Sequence, residues 1–468
     1  MGSLDIPQHG PYWNSLQNML ADRAELGNSR LLFYPLGNVS EPLEISYKSL
    51  ETEAKQNACA IRCLEGFKEG RPVLIHVDNN WDAIIWFWSV LYANGLPVLS
   101  SPFSNIEEHR QRHIRGLSEL LESPICIARA DSLHLFGGAH GLQVHTVEAL
   151  LVTQRSQEYK SREGQLKYRL DPAVLILVEI HLQAMYLGVD QVHVHPANVV
   201  SSPITFLDLL SHHRVSRSFA PNFFLARLVS TMRSASEHTT LTWDLSSLTI
   251  LASASSLLER YGSPRNVITT GYGMTETCAG AIFNLNCPDY DVASGYKLAS
   301  VGKCMKGIEM RVTVSSGDTI SYRKLAAPNQ SGDLEVRGEV VFSGYYRNPE
   351  ATEEAFISDG WFRTGDKASI DLNGNLNLIG RVQDVINING VKFITADLQA
   401  SIDQALGRRV DRVIIFPSWT GITEQVTVVY IPTEWPTRAE DIMEVDSLVV
   451  QAIATLATTT TNFRPDTY

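Results

Sequence analysis

Apolar residues in the first half of the chain follow two alternating patterns. Runs of consecutive apolar residues at Arg71–Val77, Leu96–Ser101 and Ile125–Ala128 are typical of strands buried on both faces. Between such runs, apolar residues recur at helical spacing over Ser49–Lys68 and Trp81–Asn94. Alternation of strand and helix predicts an α/β protein with a largely parallel sheet.

The same cadence extends on both sides of this region. Leu31–Tyr47 is predicted to form two strands around a turn at Gly37–Asn38, and Leu142–Val147 and Ala173–Leu177 to form further strands. Val178–His195 has the pattern of an amphipathic helix followed by a strand.

The pattern changes from about Lys303 onward. Short alternating segments separated by Gly and Asn turns predict antiparallel hairpins. The predicted fold is α/β: a large N-terminal domain (1–379) of α/β subdomains with mixed sheets and a β-rich section, a hinge at 380–384, and a small, truncated α+β C-terminal domain (385–468).

Composition narrows the possible functions. The 468 residues carry a net charge of −12, which argues against a sequence-independent nucleic-acid binder. The six cysteines show no metal-binding or redox spacing. The start of the chain lacks a signal-peptide pattern and no apolar stretch is long enough to span a bilayer, so a cytoplasmic protein without membrane contact is expected.

Two histidines in the strand pattern, His193 and His195, alternate as metal ligands can. A strand with two solvent-facing or capped histidines is the simpler interpretation, and Glu179 and His181 are expected on a helix surface.

Four signatures follow one another in the second half of the chain. They are GYGMTET (Gly271–Thr277), GDLEVRGEVVFSGYY (Gly332–Tyr346), WFRTGD (Trp361–Asp366) and GRVQDVININGVKF (Gly380–Phe393). In this order they resemble the later motifs of the adenylate-forming superfamily of acyl-CoA synthetases, luciferases and adenylation domains of non-ribosomal peptide synthetases, and the general character is closest to fungal NRPS-like adenylation domains.

The resemblance implies nucleotide-binding roles for the first signature. Tyr272 would stack on adenine, Gly273 would allow close backbone approach, Thr275 would bond the α-phosphate, and Glu276 would coordinate Mg²⁺. The wall of the acid pocket would be formed by the next four residues, Thr277, Cys278, Ala279 and Gly280. A plain strand-to-helix turn with Thr275 as the N-cap is the alternative interpretation.

The later signatures would complete the nucleotide site and the hinge. By resemblance, Asp366 would accept hydrogen bonds from both ribose hydroxyls, Arg381 would add a second ribose contact, and Gln383 would lie at the hinge between the large and small domains. In isolation, Thr-Gly-Asp would be an ordinary turn.

The implied reaction is ATP- and Mg²⁺-dependent adenylation of a small aryl or acyl carboxylic acid in secondary metabolism. A thioester on CoA or on the phosphopantetheine of a carrier protein would follow, with a carrier or synthase partner acting in trans. Thr275 and Glu276 would be the catalytic residues.

The chain departs from the family pattern in three places. Ala173–Leu177 runs directly into Val178, where the family has a Ser/Thr/Gly-rich phosphate loop, and Leu248–Pro264 lacks the usual Gly-Gly-Glu turn. The C-terminal lysine motif is expected beyond Tyr468. Slow or absent adenylation is therefore expected, and a non-catalytic nucleotide- or partner-binding relative, or a truncated product of a larger gene, remain alternatives.

Overall fold

The fold was obtained as a computed structural model. It describes residues 13–100, 103, 107–138, 141–154, 176–220, 222–235, 242–252, 261–264, 266–296, 299–315, 323–357, 359–381, 385–388, 391–419, 424–433 and 438–461.

The helices and strands are numbered in chain order. The helices are α1 (Leu16–Leu26), α2 (Tyr47–Arg62), α3 (Asn80–Tyr92), α4 (Glu107–Leu120), α5 (Val147–Gln154), α6 (Ile176–Leu187), α7 (Pro196–Ser201), α8 (Pro203–His212), α9 (Asn222–Ala235), α10 (Asp289–Ala293), α11 (Pro349–Ala355), α12 (Thr395–Leu406) and α13 (Ala439–Thr461). The strands are β1 (Arg30–Tyr34), β2 (Leu43–Ser46), β3 (Pro72–His76), β4 (Leu96–Leu99), β5 (Ile125–Ala128), β6 (Gln143–Thr146), β7 (Gln191–Val194), β8 (Arg217–Phe219), β9 (Ile250–Ala252), β10 (Thr270–Gly273), β11 (Gly280–Asn284), β12 (Lys303–Cys304), β13 (Ile308–Ser315), β14 (Arg323–Leu325), β15 (Gly332–Gly338), β16 (Phe362–Ile370), β17 (Leu376–Arg381), β18 (Val385–Ile388), β19 (Val391–Ile394), β20 (Val410–Trp419) and β21 (Glu424–Pro432).

The chain divides into two compact units. Unit 1 comprises Met1–Ala281, Leu285–Tyr290 and Val340–Pro349, and unit 2 comprises Ile282–Asn284, Asp291–Glu339 and Glu350–Tyr468. The predicted hinge at 380–384 stays a prediction, because residues 382–384 lie outside the described part.

Unit 1 contains the predicted parallel sheet, in the strand order β4-β3-β5-β6. Every residue of β3 is buried, as expected for a strand covered on both faces. Helix α3 is apolar almost all round, and its Trp86 and Trp88 are at most 1% exposed. Asn79 caps this helix by accepting a hydrogen bond from the backbone N–H of Asp82. The α/β prediction is confirmed.

The predicted hairpin near the N-terminus is also confirmed. β1 and β2 pair antiparallel, with Phe33 opposite Leu43, and β7 lies parallel to β1 on its other side. A second apolar core in unit 1 includes residues of α8, α9 and β9, and β9 pairs parallel with β8.

Two expectations for unit 1 are wrong. His181 is fully buried, and both of its ring nitrogens have a hydrogen-bond partner. The indole of Trp88 donates to its Nε2 at 2.9 Å, and its Nδ1 lies 2.9 Å from the Oε1 of Gln191. His193 is also buried, stacked on Phe33 with ring centroids 4.7 Å apart. His195 is the N-cap residue of α7, and its Nδ1 accepts a hydrogen bond from the N–H of Ala197.

The strand predicted at Ala173–Leu177 is not supported where it can be checked. Ile176 and Leu177 are the first residues of helix α6, and residues 173–175 lie outside the described part. A short apolar run has the same appearance in a strand and in a buried helix, which explains the error.

Unit 2 is built on the predicted antiparallel hairpins. Its five-stranded sheet has the order β14-β13-β15-β16-β17, with every neighbouring pair antiparallel. The C-terminal part of the unit packs α12 and α13 on the β20–β21 hairpin around a core that includes Leu398, Ile402 and Val445. Among the described residues, no helix is long and apolar enough to cross a membrane.

Candidate nucleotide site

The first signature forms a tight turn in unit 1. Strand β10 ends at Gly273, and Thr275–Thr277 follow as a single 3₁₀ turn capped by Met274, so the alternative with Thr275 as N-cap is wrong. The Thr277 hydroxyl accepts from the Met274 N–H at 3.0 Å and lies 2.8 Å from the Ala279 carbonyl, to which it can donate. Thr277 is 1% exposed, so its hydroxyl forms these bonds in the protein interior, where they stabilise the turn.

Close backbone packing explains Gly273. A Cβ at this position would lie 2.3 Å from the carbonyl oxygen of Ala279, well inside van der Waals contact. The adjacent Tyr272 is buried, with 8% of its surface exposed, and its hydroxyl points to the Met274 sulfur at 3.9 Å. Thr275 is exposed at the start of the turn.

The predicted pocket wall starts with an unusual backbone conformation. Cys278 has φ +66°, a value that costs a residue with a side chain about 1–3 kcal/mol and is found mainly where function or packing demands it. Its thiol lies 3.2 Å from the Val340 carbonyl. Ala279 and Gly280 are half-buried and lead into β11.

Glu276 is held by a segment distant in sequence. The segment Val340–Pro349, called the strap below, belongs to unit 1. The Phe342 N–H donates to the Glu276 carbonyl at 2.8 Å, and the Tyr345 hydroxyl donates to the Glu276 Oε1 at 2.9 Å. Burial first, and then the Glu276 carboxylate, raise the pKa of Tyr345 to about 12, so the phenol stays a donor at neutral pH.

Sequence reasoning missed Tyr345 as a site residue. Its signal is the GYY run that ends the second signature, in which the sequence assigns no residue a role of its own.

The far end of the strap is fixed by charge. Arg347 forms an ion pair with Glu122, which also pairs with Arg71. Hydrogen bonds from Arg347 and then from Arg71 lower the pKa of Glu122 to about 2. The strap is thus attached to the rest of unit 1 on both sides of Tyr345.

Unit 2 brings together the two residues predicted to contact ribose. Asp366 on β16 and Arg381 on β17 are direct register partners across the antiparallel pair. Asp366 is 7% exposed, and its N–H donates to the Thr364 hydroxyl at 3.1 Å. Gly365 supplies the φ of +77° that the Thr-Gly-Asp turn requires. Gln383, the predicted hinge residue, lies outside the described part.

The same signature is anchored by its tryptophan. The guanidinium carbons of Arg311 and Arg337 lie 4.3 and 4.7 Å from the Trp361 ring centroid. Arg311 also donates to Glu335, which is fully buried, at 2.6 Å. Cation–π contacts and a charge-assisted hydrogen bond therefore fix the strand that carries Asp366.

Within the described residues, no cluster of three or more His, Cys, Asp or Glu side chains could hold a metal ion by itself. The interpretation of His193 and His195 as a metal pair therefore has no support there.

Comparisons with known proteins agree with the sequence resemblance. The family model described as AMP-binding enzyme matches residues 170–346. Aspulvinone E synthetase melA of Aspergillus terreus is 37% identical over 94% of this chain and 54% of its own length. The non-ribosomal peptide synthetase atrA of Aspergillus terreus (strain NIH 2624 / FGSC A1156) is 36% identical over 90% of this chain and 52% of its own length.

A solved structure shares the fold. The adenylation domain of a keto acid-selecting NRPS module, bound to a keto acyl adenylate, superposes with a TM-score of 0.68 at 21% identity, over 95% of this chain and 92% of that one.

The lengths of the alignments carry further information. The chain spans about half the length of the curated relatives that it matches. The alignment with melA runs over 510 positions, more than the 468 residues of this chain, so the relative contains segments without a counterpart here. By its four ordered signatures, its match to the AMP-binding family model over residues 170–346 and these relatives, the chain is related to the adenylation domains of fungal non-ribosomal peptide synthetases, which are members of the adenylate-forming superfamily.

Proposed function

We propose that the chain binds ATP and adenylates a small carboxylic acid in secondary metabolism. In this reaction a carboxylate oxygen forms a bond to the α-phosphorus, the bond between that phosphorus and the bridging oxygen breaks, and pyrophosphate leaves. The observation that carries the proposal is the fixed turn at Gly271–Thr277, which presents Glu276 in a single orientation supported by Tyr345. Preorganised groups of this kind are what phosphoryl chemistry requires of a protein.

The carboxylate of Glu276 is a suitable ligand for a magnesium ion that is also bound by the phosphates of a nucleotide. Mg²⁺ is commonly held by one or two carboxylates plus substrate phosphates, so one half-buried carboxylate is sufficient and a three-residue cluster is unnecessary. When bound, the ion would neutralise charge on the phosphates. The exposed Thr275 hydroxyl, one residue before Glu276, is proposed to donate to the α-phosphate.

The remaining proposed contacts, to ribose, adenine and the acid, differ in how well the positions of the residues support them. Asp366 and Arg381 are proposed to bind the ribose hydroxyls, and their register pairing supports a joint role. Tyr272 is proposed to contact adenine, but with 8% of its surface exposed it offers the base little area for stacking. Thr277 uses its hydroxyl within the turn, so among the predicted pocket residues Cys278, Ala279 and Gly280 are the better candidates for contact with the acid.

We expect the chain to adenylate its acid slowly. The family's phosphate loop, which the sequence is expected to lack, would follow Leu177; α6 instead continues through Leu177 and Val178. Loss of one preorganised donor to a developing negative charge typically costs about 10²–10³ in rate. The same observation favours one second candidate, a nucleotide-binding relative that turns over no acid.

The acceptor of the acyl group is proposed from the family. Either CoA or the phosphopantetheine of a carrier protein would take the acyl group from AMP, and Gln383 would serve as the hinge for that second step.

Acid-dependent exchange of labelled pyrophosphate into ATP tests the proposal. Aryl, 2-oxo and short-chain acyl acids would be supplied separately to the wild-type protein and to Glu276→Gln. We expect slow exchange with at least one acid, and loss of that exchange in the variant. ATP binding by the wild type without exchange for any acid would favour the nucleotide-binding candidate.

A further inference from the structure

The strap bonds Glu276 itself through hydrogen bonds of two different kinds. The backbone bond from Phe342 fixes the main chain of Glu276, and the phenol of Tyr345 fixes its carboxylate. Phe342 and Tyr345 support each other, because their rings meet edge to face with centroids 4.8 Å apart. One short segment therefore determines both the position and the orientation of this side chain.

A glutamate side chain has three rotatable bonds, and ordering it costs conformational free energy. On a half-exposed turn, Glu276 would otherwise sample several rotamers. The hydrogen bond from Tyr345 engages only Oε1, and within the described residues no other side-chain donor bonds this carboxylate. A neutral phenol also leaves the negative charge of the carboxylate in place, which a cationic partner would not.

We infer that Tyr345 is a positioning residue for Glu276, orienting the carboxylate for the magnesium ion that accompanies ATP. This inference rests on the proposed function. Hydrogen-bond partners of metal-binding carboxylates are known to matter in this way, and their removal typically costs about 10–100-fold in metal affinity.

The neighbouring tyrosine provides a matched control. Tyr346 is 45% exposed, and its ring lies beside Arg347, with the guanidinium carbon 5.5 Å from its ring centroid. Tyr345→Phe and Tyr346→Phe each remove one hydroxyl and keep the ring, so they cause similar losses of volume and polarity.

Calorimetric titration of ATP at a series of Mg²⁺ concentrations tests the inference without requiring turnover. The wild type, Tyr345→Phe, Tyr346→Phe, Glu276→Gln and the double variant Tyr345→Phe/Glu276→Gln would be compared. We expect Tyr345→Phe to raise the Mg²⁺ concentration for half-maximal effect by about tenfold or more. Tyr346→Phe should match the wild type.

The double variant separates positioning from general structural damage. If Tyr345 acts through Glu276, the double variant behaves as Glu276→Gln alone; an additional loss would mean that the phenol acts elsewhere and would overturn the inference. If Tyr345→Phe does not fold, Tyr345→Met, which also removes the hydroxyl that bonds Glu276 and keeps an apolar side chain, should show the same shift in Mg²⁺ dependence.

Two further outcomes have distinct meanings. Wild-type Mg²⁺ dependence retained by Tyr345→Phe overturns the inference and leaves the proposed function standing. If the affinity for ATP does not depend on Mg²⁺ in the wild type and is unchanged in Glu276→Gln, the proposed function is overturned, and the inference with it.

Discussion

Acidification is expected to destabilise unit 1 through two buried histidines. The indole N–H of Trp88 can only donate, so the Nε2 of His181 must be the acceptor and its Nδ1 must carry the proton that is donated to Gln191. The Gln191 Oε1 also bonds the Nε2 of His193 at 3.0 Å, so that nitrogen carries a proton as well. The His181 ring is therefore neutral in the folded protein, and burial disfavours the charged form of His193.

The size of the effect follows from the two pKa values. Burial lowers the pKa of His181 from 6.5 to about 4 and that of His193 from 6.5 to about 3. Because each folded-state pKa lies below the unfolded-state value, the unfolded chain takes up protons first as pH falls. Stability is retained above pH 6.5 and declines below it, down to about pH 4 for His181 and about pH 3 for His193.

Each histidine is expected to contribute a slope of about 1.4 kcal/mol per pH unit within its window. At pH 5 the two together would remove about 4 kcal/mol, a large part of the roughly 5–15 kcal/mol that stabilises a typical domain.

Urea unfolding at several pH values, followed by tryptophan fluorescence, measures this dependence. His181→Gln keeps an acceptor for Trp88 but cannot titrate, so its slope between pH 6 and 4.5 should be smaller than that of the wild type by about 1.4 kcal/mol per pH unit. It should also be about 1–3 kcal/mol less stable at pH 7, because the bond to Gln191 is weakened or lost.

The comparison between the two proteins isolates His181. His76, whose pKa burial lowers to about 4, titrates in both proteins and so cancels in the comparison. A His181→Gln slope equal to that of the wild type would refute the reasoning.

Two further predictions concern stability, and both can be measured by urea unfolding at pH 7. Gly302→Ala should cost several times as much as Gly295→Ala, because a Cβ at Gly302 would lie 2.1 Å from the Phe283 carbonyl oxygen whereas at Gly295 nothing lies within 4 Å, although both have positive φ; equal losses would contradict this. Asn57→Leu should stabilise unit 1 by about 1–3 kcal/mol, because both polar atoms of this 1%-exposed side chain lack a hydrogen-bond partner among the residues that the structure describes; a loss of stability would show that the amide makes a compensating interaction.

The sequence predicted the strands of both units where the apolar pattern was unambiguous. Consecutive apolar residues in β3 and β5 could only be accommodated by burial on both faces, and alternation in β13 and β15 fitted antiparallel pairing. The Asp366–Arg381 pairing was also foreseeable, because a hairpin separates the two residues.

Long-range contacts could not be predicted from the sequence pattern. His181 looks like a surface residue on an amphipathic helix, and its burial depends on Trp88, which lies 93 residues away. Tyr345 contacts Glu276 although 69 positions separate them in the sequence, and a local apolar pattern does not predict such a contact. In both cases the partner is determined by tertiary packing.

Direct detection of an acyl adenylate tests the central claim most directly. Protein at stoichiometric concentration would be incubated for hours with Mg²⁺, ATP and each acid, and the quenched mixture analysed by mass spectrometry, so that even a slow reaction is seen. We expect acyl-AMP from at least one acid with the wild type and none with Glu276→Gln. Absence of acyl-AMP for every acid, in a protein shown to bind ATP, would contradict the assignment of adenylation to this chain.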